Sequence, residues 1–164
     1  FIDNNDLFGS FGDQRDANPF FSRRIGIAKD TADNTIENRI IGGIRLSGKV
    51  NKDLRLGFLN LQTASDEENE IPSNNNMMLA LQQKVFSRSN IGFFFINRQS
   101  LRAYDFLPPE DEYNRVLGVE YNLISRDNVW NGKYFFQKSF QPESNGKDNA
   151  SGARLQSHSG QSSL

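Results

Sequence analysis

The sequence predicts an all-β, antiparallel fold, and three observations carry that prediction. Apolar and polar residues alternate with a period of two over long runs. The connections between runs are alternately short and long. Aromatic residues reach 12%, with 14 Phe, while apolar content is only 36% and mean hydropathy is -0.64. A period of two sends successive side chains to opposite faces, so each run is a strand with one greasy face. A sheet whose alternate residues face lipid reconciles high aromatic content with low hydropathy. The expectation is therefore about six or seven amphipathic strands forming part of a larger outer-membrane β-barrel.

Composition narrows the function classes. The net charge of -1 offers no broad basic field for nucleic acid. Cys is absent, which removes disulfide scaffolds and cysteine-ligated metals. No run approaches the roughly 18 apolar residues of a spanning helix. The chain starts at Phe1 without a charged, apolar, small-residue leader, and a cut or processed start is expected.

Residues 1–36 show no sustained period. Asp3-Asn4-Asn5-Asp6, Gly9, Gly12 and Asn18-Pro19 read as loops and turns, so this part is expected to be an irregular connector or a lumen or periplasmic segment. Within it, Pro19 to Gly26 sets Phe20 and Phe21 beside Arg23 and Arg24. The plainer reading is an ordered connector that packs its rings while both arginines reach water or carboxylates. The sharper one is a loop folded into a lumen, where Arg23 and Arg24 meet a ligand.

Residues 37–158 read as the partial barrel sheet. In the hairpin pattern from Arg39 to Thr63, Ile44, Leu46 and Val50 alternate with Arg45, Ser47 and Lys49. Asn51-Lys52-Asp53 supplies turn chemistry, and Leu54, Leu56 and Phe58 resume the apolar beat. These runs are about ten to thirteen residues, roughly twice a usual globular strand. A polar loop holding Asp66, Glu67, Glu68 and Glu70 follows. Met77, Leu79, Leu81 and Val85 then alternate with Met78, Ala80, Gln82 and Lys84, and Phe86 to Ser89 breaks the run. From Asn90 to Arg98 the faces are less clean, with Ile91, Phe93 and Phe95 on one side and Phe94 and Ile96 on the other. A strand of that kind is expected to be covered on both faces, by a loop folding against it.

Gln99 to Glu112 is a second long loop, with Pro108-Pro109 and three consecutive acids, Glu110 to Glu112. Leu117, Val119, Tyr121 and Leu123 alternate with Val116, Gly118, Glu120 and Asn122, and Ser125 to Asn128 turns the chain. Trp130, Tyr134 and Phe136 follow against Asn131, Lys133 and Gln137. Gln141 to Asn149 is a third long break, Ala150 to His158 begins a further strand, and 159–164 reads as a frayed tail. The three short breaks should lie at one end of the sheet, and the loops around Glu67, Pro108 and Glu143 at the other. Leu46, Leu56, Leu79, Leu117 and Phe136 should share one outer face. Outer-membrane barrels show this rhythm of tight turns and extended loops. A soluble sandwich also presents one apolar face per strand, and strand length and connection rhythm favour the barrel.

With Phe1 to Phe8 before the Pro19–Gly26 motif and Ile41-Gly42-Gly43-Ile44-Arg45-Leu46-Ser47-Gly48-Lys49 after it, the chain resembles a bacterial family. That family is the Bacteroidota outer-membrane barrel domain of unknown function found downstream of a carbohydrate-binding family-nine-like domain. The resemblance runs to about Lys138 and is most specific around Phe20 to Gly26. It implies an internal piece of an outer-membrane protein, with a sugar-binding domain before Phe1 and further barrel strands after Leu164. It also implies glycan handling, and it transfers no catalytic residues.

No constellation for chemistry stands out. His158, the single histidine, lies at the border of the tail, which disfavours a Ser-His-Asp or histidine-metal site. Asp66-Glu67-Glu68 and Asp3 to Asp6 lack the spacing of a calcium loop. Neither an enzyme activity nor a cofactor is expected. Gly42, Gly43, Gly48, Gly57 and Gly92 read as sites of strand bending or close contact. The functional surface is expected on the polar strand faces, where Arg45, Lys49, Lys84 and Lys133 would point inward with Glu120 as a counter-charge. Together with Arg23 and Arg24 these are the candidate ligand-binding residues, suiting acidic or hydroxylated solutes. The expected role is uptake, binding or surface handling of a polysaccharide-derived ligand in the bacterial outer membrane. Membrane lipid, a glycan or oligosaccharide, and the parent protein's remaining strands are the expected partners. The rival is a soluble carbohydrate-binding β-sandwich.

Overall fold

The computed structural model describes residues 6–9, 11, 25–142 and 148–157. Its frame is a seven-stranded antiparallel meander in which every strand pairs with its neighbours in sequence. Naming all strands in chain order, a small hairpin precedes it, β1 (Ile27–Lys29) with β2 (Thr35–Glu37). The large sheet runs β3 (Ile40–Lys49), β4 (Leu54–Thr63), β5 (Asn74–Val85), β6 (Ser89–Ser100), β7 (Tyr113–Ile124), β8 (Trp130–Phe140) and β9 (Asn149–Ser157). Its strands are nine to twelve residues long, well above the usual five or six or so. The all-β antiparallel class and the strand count match the sequence expectation.

The meander places the β3–β4, β5–β6 and β7–β8 connections at one end. The connections 64–73 and 101–112 lie at the other. The short turns are built from side chains that replace ladder partners. Asn51 Oδ1 accepts from the amides of Asp53 and Leu54 at 2.8 and 2.9 Å. The Ser125 hydroxyl accepts from the Trp130 amide at 2.9 Å, and the Asp127 carboxylate accepts from the Val129 amide at 3.2 Å. At the other end the two long loops are tied together. The Tyr104 hydroxyl lies 2.9 Å from the Ser73 hydroxyl, and the Leu101 amide donates to the Ser73 carbonyl at 3.0 Å.

The register assigns the faces. Leu46 is opposite Phe58, Phe58 opposite Leu79, Leu79 opposite Phe95 and Phe95 opposite Leu117. Val119, two residues along, is opposite Phe136. Leu46, Leu56, Leu79, Leu117 and Phe136 therefore share one face, because directly opposed and i,i+2 residues point the same way. The other face carries Arg45, Leu59, Met78, Phe94, Glu120 and Lys133.

The core lies on this second face, which is otherwise the polar one. Leu7 and Phe8 of a single helical turn, α1 (Asp6–Gly9), and Phe11 just after it pack onto Leu59, Met78, Ala80 and Phe94. The Phe11 and Phe94 ring centroids are 4.9 Å apart. Two glycines make room. A methyl at Gly57 would sit 2.8 Å from the Phe8 ring, and one at Gly92 would sit 2.8 Å from Phe11 and 2.9 Å from Glu120 Cγ. Cover was expected on both faces of β6. The Phe94 side has it, from Leu7, Phe8 and Phe11, whereas the Ile91, Phe93 and Phe95 side is uncovered among the described residues. Gly42 and Gly48, also expected to mark bending or close contact, approach nothing: a methyl at either would meet open space.

Two details correct the sequence reading of residues 1–36 as uniformly irregular. Besides α1 there is the β1–β2 hairpin, closed by Asp30, whose Oδ1 accepts from the Ala32 and Asn34 amides at 2.9 and 2.8 Å. Three-residue strands are too short to display a period of two, and the hairpin owes its shape to this side-chain closure. The apolar face of the large sheet remains uncovered among the described residues. Ile44 is 60% exposed, Leu46 58%, Leu117 40% and Phe136 46%.

Candidate functional site

The polar face divides into three zones along the strands. In the middle sits the apolar patch covered by Leu7, Phe8 and Phe11. On the short-turn side a chain of polar side chains crosses five strands. Arg55 Nη1 on β4 donates to Gln82 Oε1 on β5 at 2.8 Å, and Gln82 Nε2 donates to Asn90 Oδ1 on β6 at 3.2 Å. Asn122 Nδ2 on β7 donates to the same Asn90 oxygen at 2.9 Å and to Glu120 Oε1 at 2.7 Å. Lys133 Nζ on β8 closes the series 3.1 Å from Glu120 Oε2. Glu120 is 1% exposed, so its charge is held by this lysine and amide inside the sheet's packing.

On the long-loop side lies a cleft of about 810 Å³, bounded by Ile25 to Lys29, Ile71, Asn74, Asn76, Arg98 and Asn114. The Asn74 side-chain oxygen is buried and has no hydrogen-bond partner among the described residues. Its amide nitrogen donates to the Pro72 carbonyl at 3.1 Å, which fixes the group's orientation. A buried carbonyl oxygen of this kind is satisfied by a hydroxyl or amide donor.

Charge is distributed very unevenly between strands and loops. The seven strands contain a single carboxylate, Glu120. Seven cations share its face: Arg45, Lys49, Arg55, Lys84, Arg98, Lys133 and Arg154. Two like-charged pairs stand directly opposite each other, Lys49 with Arg55 and Lys133 with Arg154. Directly opposed like charges weaken strand pairing, and at Lys133 the Glu120 carboxylate offsets this. The loops 64–73 and 101–112, by contrast, carry Asp66, Glu67, Glu68, Glu70, Asp105, Glu110, Asp111 and Glu112 against one cation, Arg102. The net charge of -1 therefore conceals a cationic sheet face and acidic loops.

Of the residues nominated from sequence, Arg45, Lys49, Lys84, Glu120 and Lys133 all fall on this one face. Glu120 and Lys133 meet directly. Arg45 lies over the Phe8 ring, 5.0 Å from its centroid, so it helps to seat the covering segment. Lys49 and Lys84 are exposed at the short-turn rim. Arg23, Arg24, Glu143 and His158 lie outside the described residues. Sequence reasoning left out Arg55, Gln82, Asn90 and Asn122, although all but Asn90 were visible on the polar beat of their strands. Asn74, Asn76 and Asn114 were missed because they precede the recognisable alternation. Among the described residues no group of three or more His, Asp or Glu side chains is arranged to hold a metal ion. No helix among them is long and apolar enough to cross a membrane. Compared with protein-family models, curated proteins and solved structures, the chain finds no match.

Proposed function

We propose that this chain is a segment of an outer-membrane β-barrel whose polar face binds or passes a polysaccharide-derived ligand, without performing chemistry on it. One observation carries the reading. The large sheet has an apolar face that is continuous from β3 to β8 and uncovered among the described residues, while its polar face holds the packed cover. In water that arrangement is inverted, since exposed contiguous apolar surface of such extent is costly. Against lipid it is the favourable one. On β7 the span from Tyr113 to Leu123 is ten residue steps, about 33 Å of strand. At a barrel tilt of about 40° it covers roughly 25 Å, the height of a lipid-facing band.

The ligand class follows from the polar face. Asn74, Asn76 and Asn114 around the cleft suit hydroxyl groups, which both donate and accept. The cationic excess suits acidic substituents. The open edges of β3 and β9 accept the remaining strands of the parent barrel.

The test uses the intact protein. It should require detergent for extraction and bind oligosaccharides, and Asn74→Leu with Asn76→Leu should weaken that binding at least several-fold while assembly is unchanged. Release into buffer without detergent would favour the soluble β-sandwich. Detergent dependence with unchanged sugar affinity would remove the cleft from the ligand site.

A further inference from the structure

The apolar face of the large sheet carries only two cations among its described strand residues, and both stand at the long-loop rim. Arg115 on β7 is directly opposite Phe140 on β8, and Lys138 is directly opposite Leu117. The two cations are thus diagonal neighbours, about 7–8 Å apart at the backbone. Each is steered by an aromatic ring. The Arg115 guanidinium lies 4.4 Å from the Tyr113 ring centroid, and the Lys138 ammonium 5.3 Å from that of Phe140. Arg115 Nε also donates to Asn97 Oδ1 at 3.0 Å, from the neighbouring strand.

Their depth is informative. Towards the short turns this face is apolar, through Leu117, Val119 and Tyr121 on β7 and Phe136 and Tyr134 on β8. Beyond the two cations come polar loops. Long basic side chains at such a border lay their stems on apolar surface and lift their charge to the water. Aromatic rings beside them are typical of the interfacial layer.

We propose that Arg115 and Lys138 form a binding site for the phosphate of an anionic lipid headgroup at the long-loop rim. The inference rests on the reading that this face meets lipid, and it adds the headgroup chemistry. With Nε committed to Asn97, the two Nη groups of Arg115 meet two phosphate oxygens side by side, and Lys138 supplies a second positive charge. A lipid fits better than a free solute anion. The acidic run Glu110 to Glu112 immediately before β7 repels anions arriving from water, whereas a headgroup is delivered at this depth by its own acyl chains.

Electron paramagnetic resonance on the intact protein in phosphatidylcholine vesicles tests this, with trace spin-labelled phosphatidylglycerol or spin-labelled phosphatidylcholine as probes. Both probes should show a motionally restricted fraction at the protein surface. The restricted fraction should favour phosphatidylglycerol by up to about five-fold per cation, the equivalent of about 1 kcal/mol each. Arg115→Gln with Lys138→Gln should remove that preference and leave the restricted phosphatidylcholine fraction unchanged. Lys138→Gln alone should halve it or more, which covers the case in which the double variant fails to assemble. Equal restriction of both lipids by the unmodified protein would overturn the headgroup site while leaving the lipid-facing reading intact. Absence of any restricted fraction would overturn both.

Discussion

Lys133 Nζ lies 3.1 Å from Glu120 Oε2, and that carboxylate is the single acidic group in seven strands and is 1% exposed. Removing the lysine takes the ammonium partner away from a buried carboxylate. Lys133→Met should therefore destabilise the intact protein by about 3–5 kcal/mol, near the lower bound because the lysine itself keeps some contact with solvent. Replacing both, with Glu120→Gln beside Lys133→Met, should recover most of the loss, since Asn122 can still donate to the amide oxygen. Urea unfolding of the four proteins forms a double-mutant cycle. Additive losses would mean that the pair is not energetically coupled.

Gly92 and Gly48 give opposite expectations for the same substitution. At Gly92 a methyl group would press on Phe11 and on Glu120, so Gly92→Ala should cost about 1–3 kcal/mol by overpacking. It should also loosen the segment around Phe8 and Phe11. At Gly48 a methyl group meets nothing, and Gly48→Ala should be neutral or mildly stabilising. Hydrogen exchange at the amides of residues 7–11 separates the two. If Gly92→Ala leaves exchange there unchanged, the glycine is not what seats the covering segment.

The turn at Ser125–Asn128 should weaken in acid, whereas the turn at Asn51–Asp53 should not. The Ser125 hydroxyl, followed by the Val129 amide, holds the Asp127 carboxyl below its ordinary range. A depressed carboxylate contributes its stability above the unfolded value of about 3.9 and loses it as pH falls through the lower folded value. Asn51 closes the other turn without a titrating group. Amide exchange at Val129 and Trp130, corrected for intrinsic rates, should speed up below about pH 4 relative to Asp53 and Leu54. Parallel behaviour of the two turns would refute the assignment.

The sheet was legible in the sequence because a period of two survives any detail of packing. Leu117, Val119 and Tyr121 declare their shared face without reference to a partner, and the short breaks declare antiparallel neighbours. Phe94 and Ile96 announced a cover on the second face, yet its source stayed hidden. Leu7, Phe8 and Phe11 make too short a stretch to show periodicity, and their role depends on Gly57 and Gly92, far away in sequence. Glu120 was readable as a counter-charge to the cations of its face, whereas its pairing with Lys133 comes from the register of β7 against β8. The chain from Arg55 through Gln82 and Asn90 to Asn122 depends on register across four strands, which alternation within one strand does not reveal.

Leu117 and Ser47 test the two faces against each other. Leu117 stands on the apolar face between Phe95 and Lys138, and Ser47 stands on the polar face opposite Gly57. Both are exposed, so a long side chain at either site meets no packed neighbour that must move. Leu117→Arg also stands directly opposite Lys138, a like-charge cost of at most about 1 kcal/mol, so a difference larger than that reports the medium beyond each face. On the lipid-facing reading, Leu117→Arg should cost up to about 2–4 kcal/mol, less to the extent that Leu117 lies off the midplane. Ser47→Arg, on a face already bearing Arg45 and Lys49, should cost little beyond mild like-charge repulsion. Folding of the intact protein into vesicles, followed by the loss of heat-modifiable mobility on a gel, reads both. Equal cost at the two positions would show that the apolar face does not meet lipid.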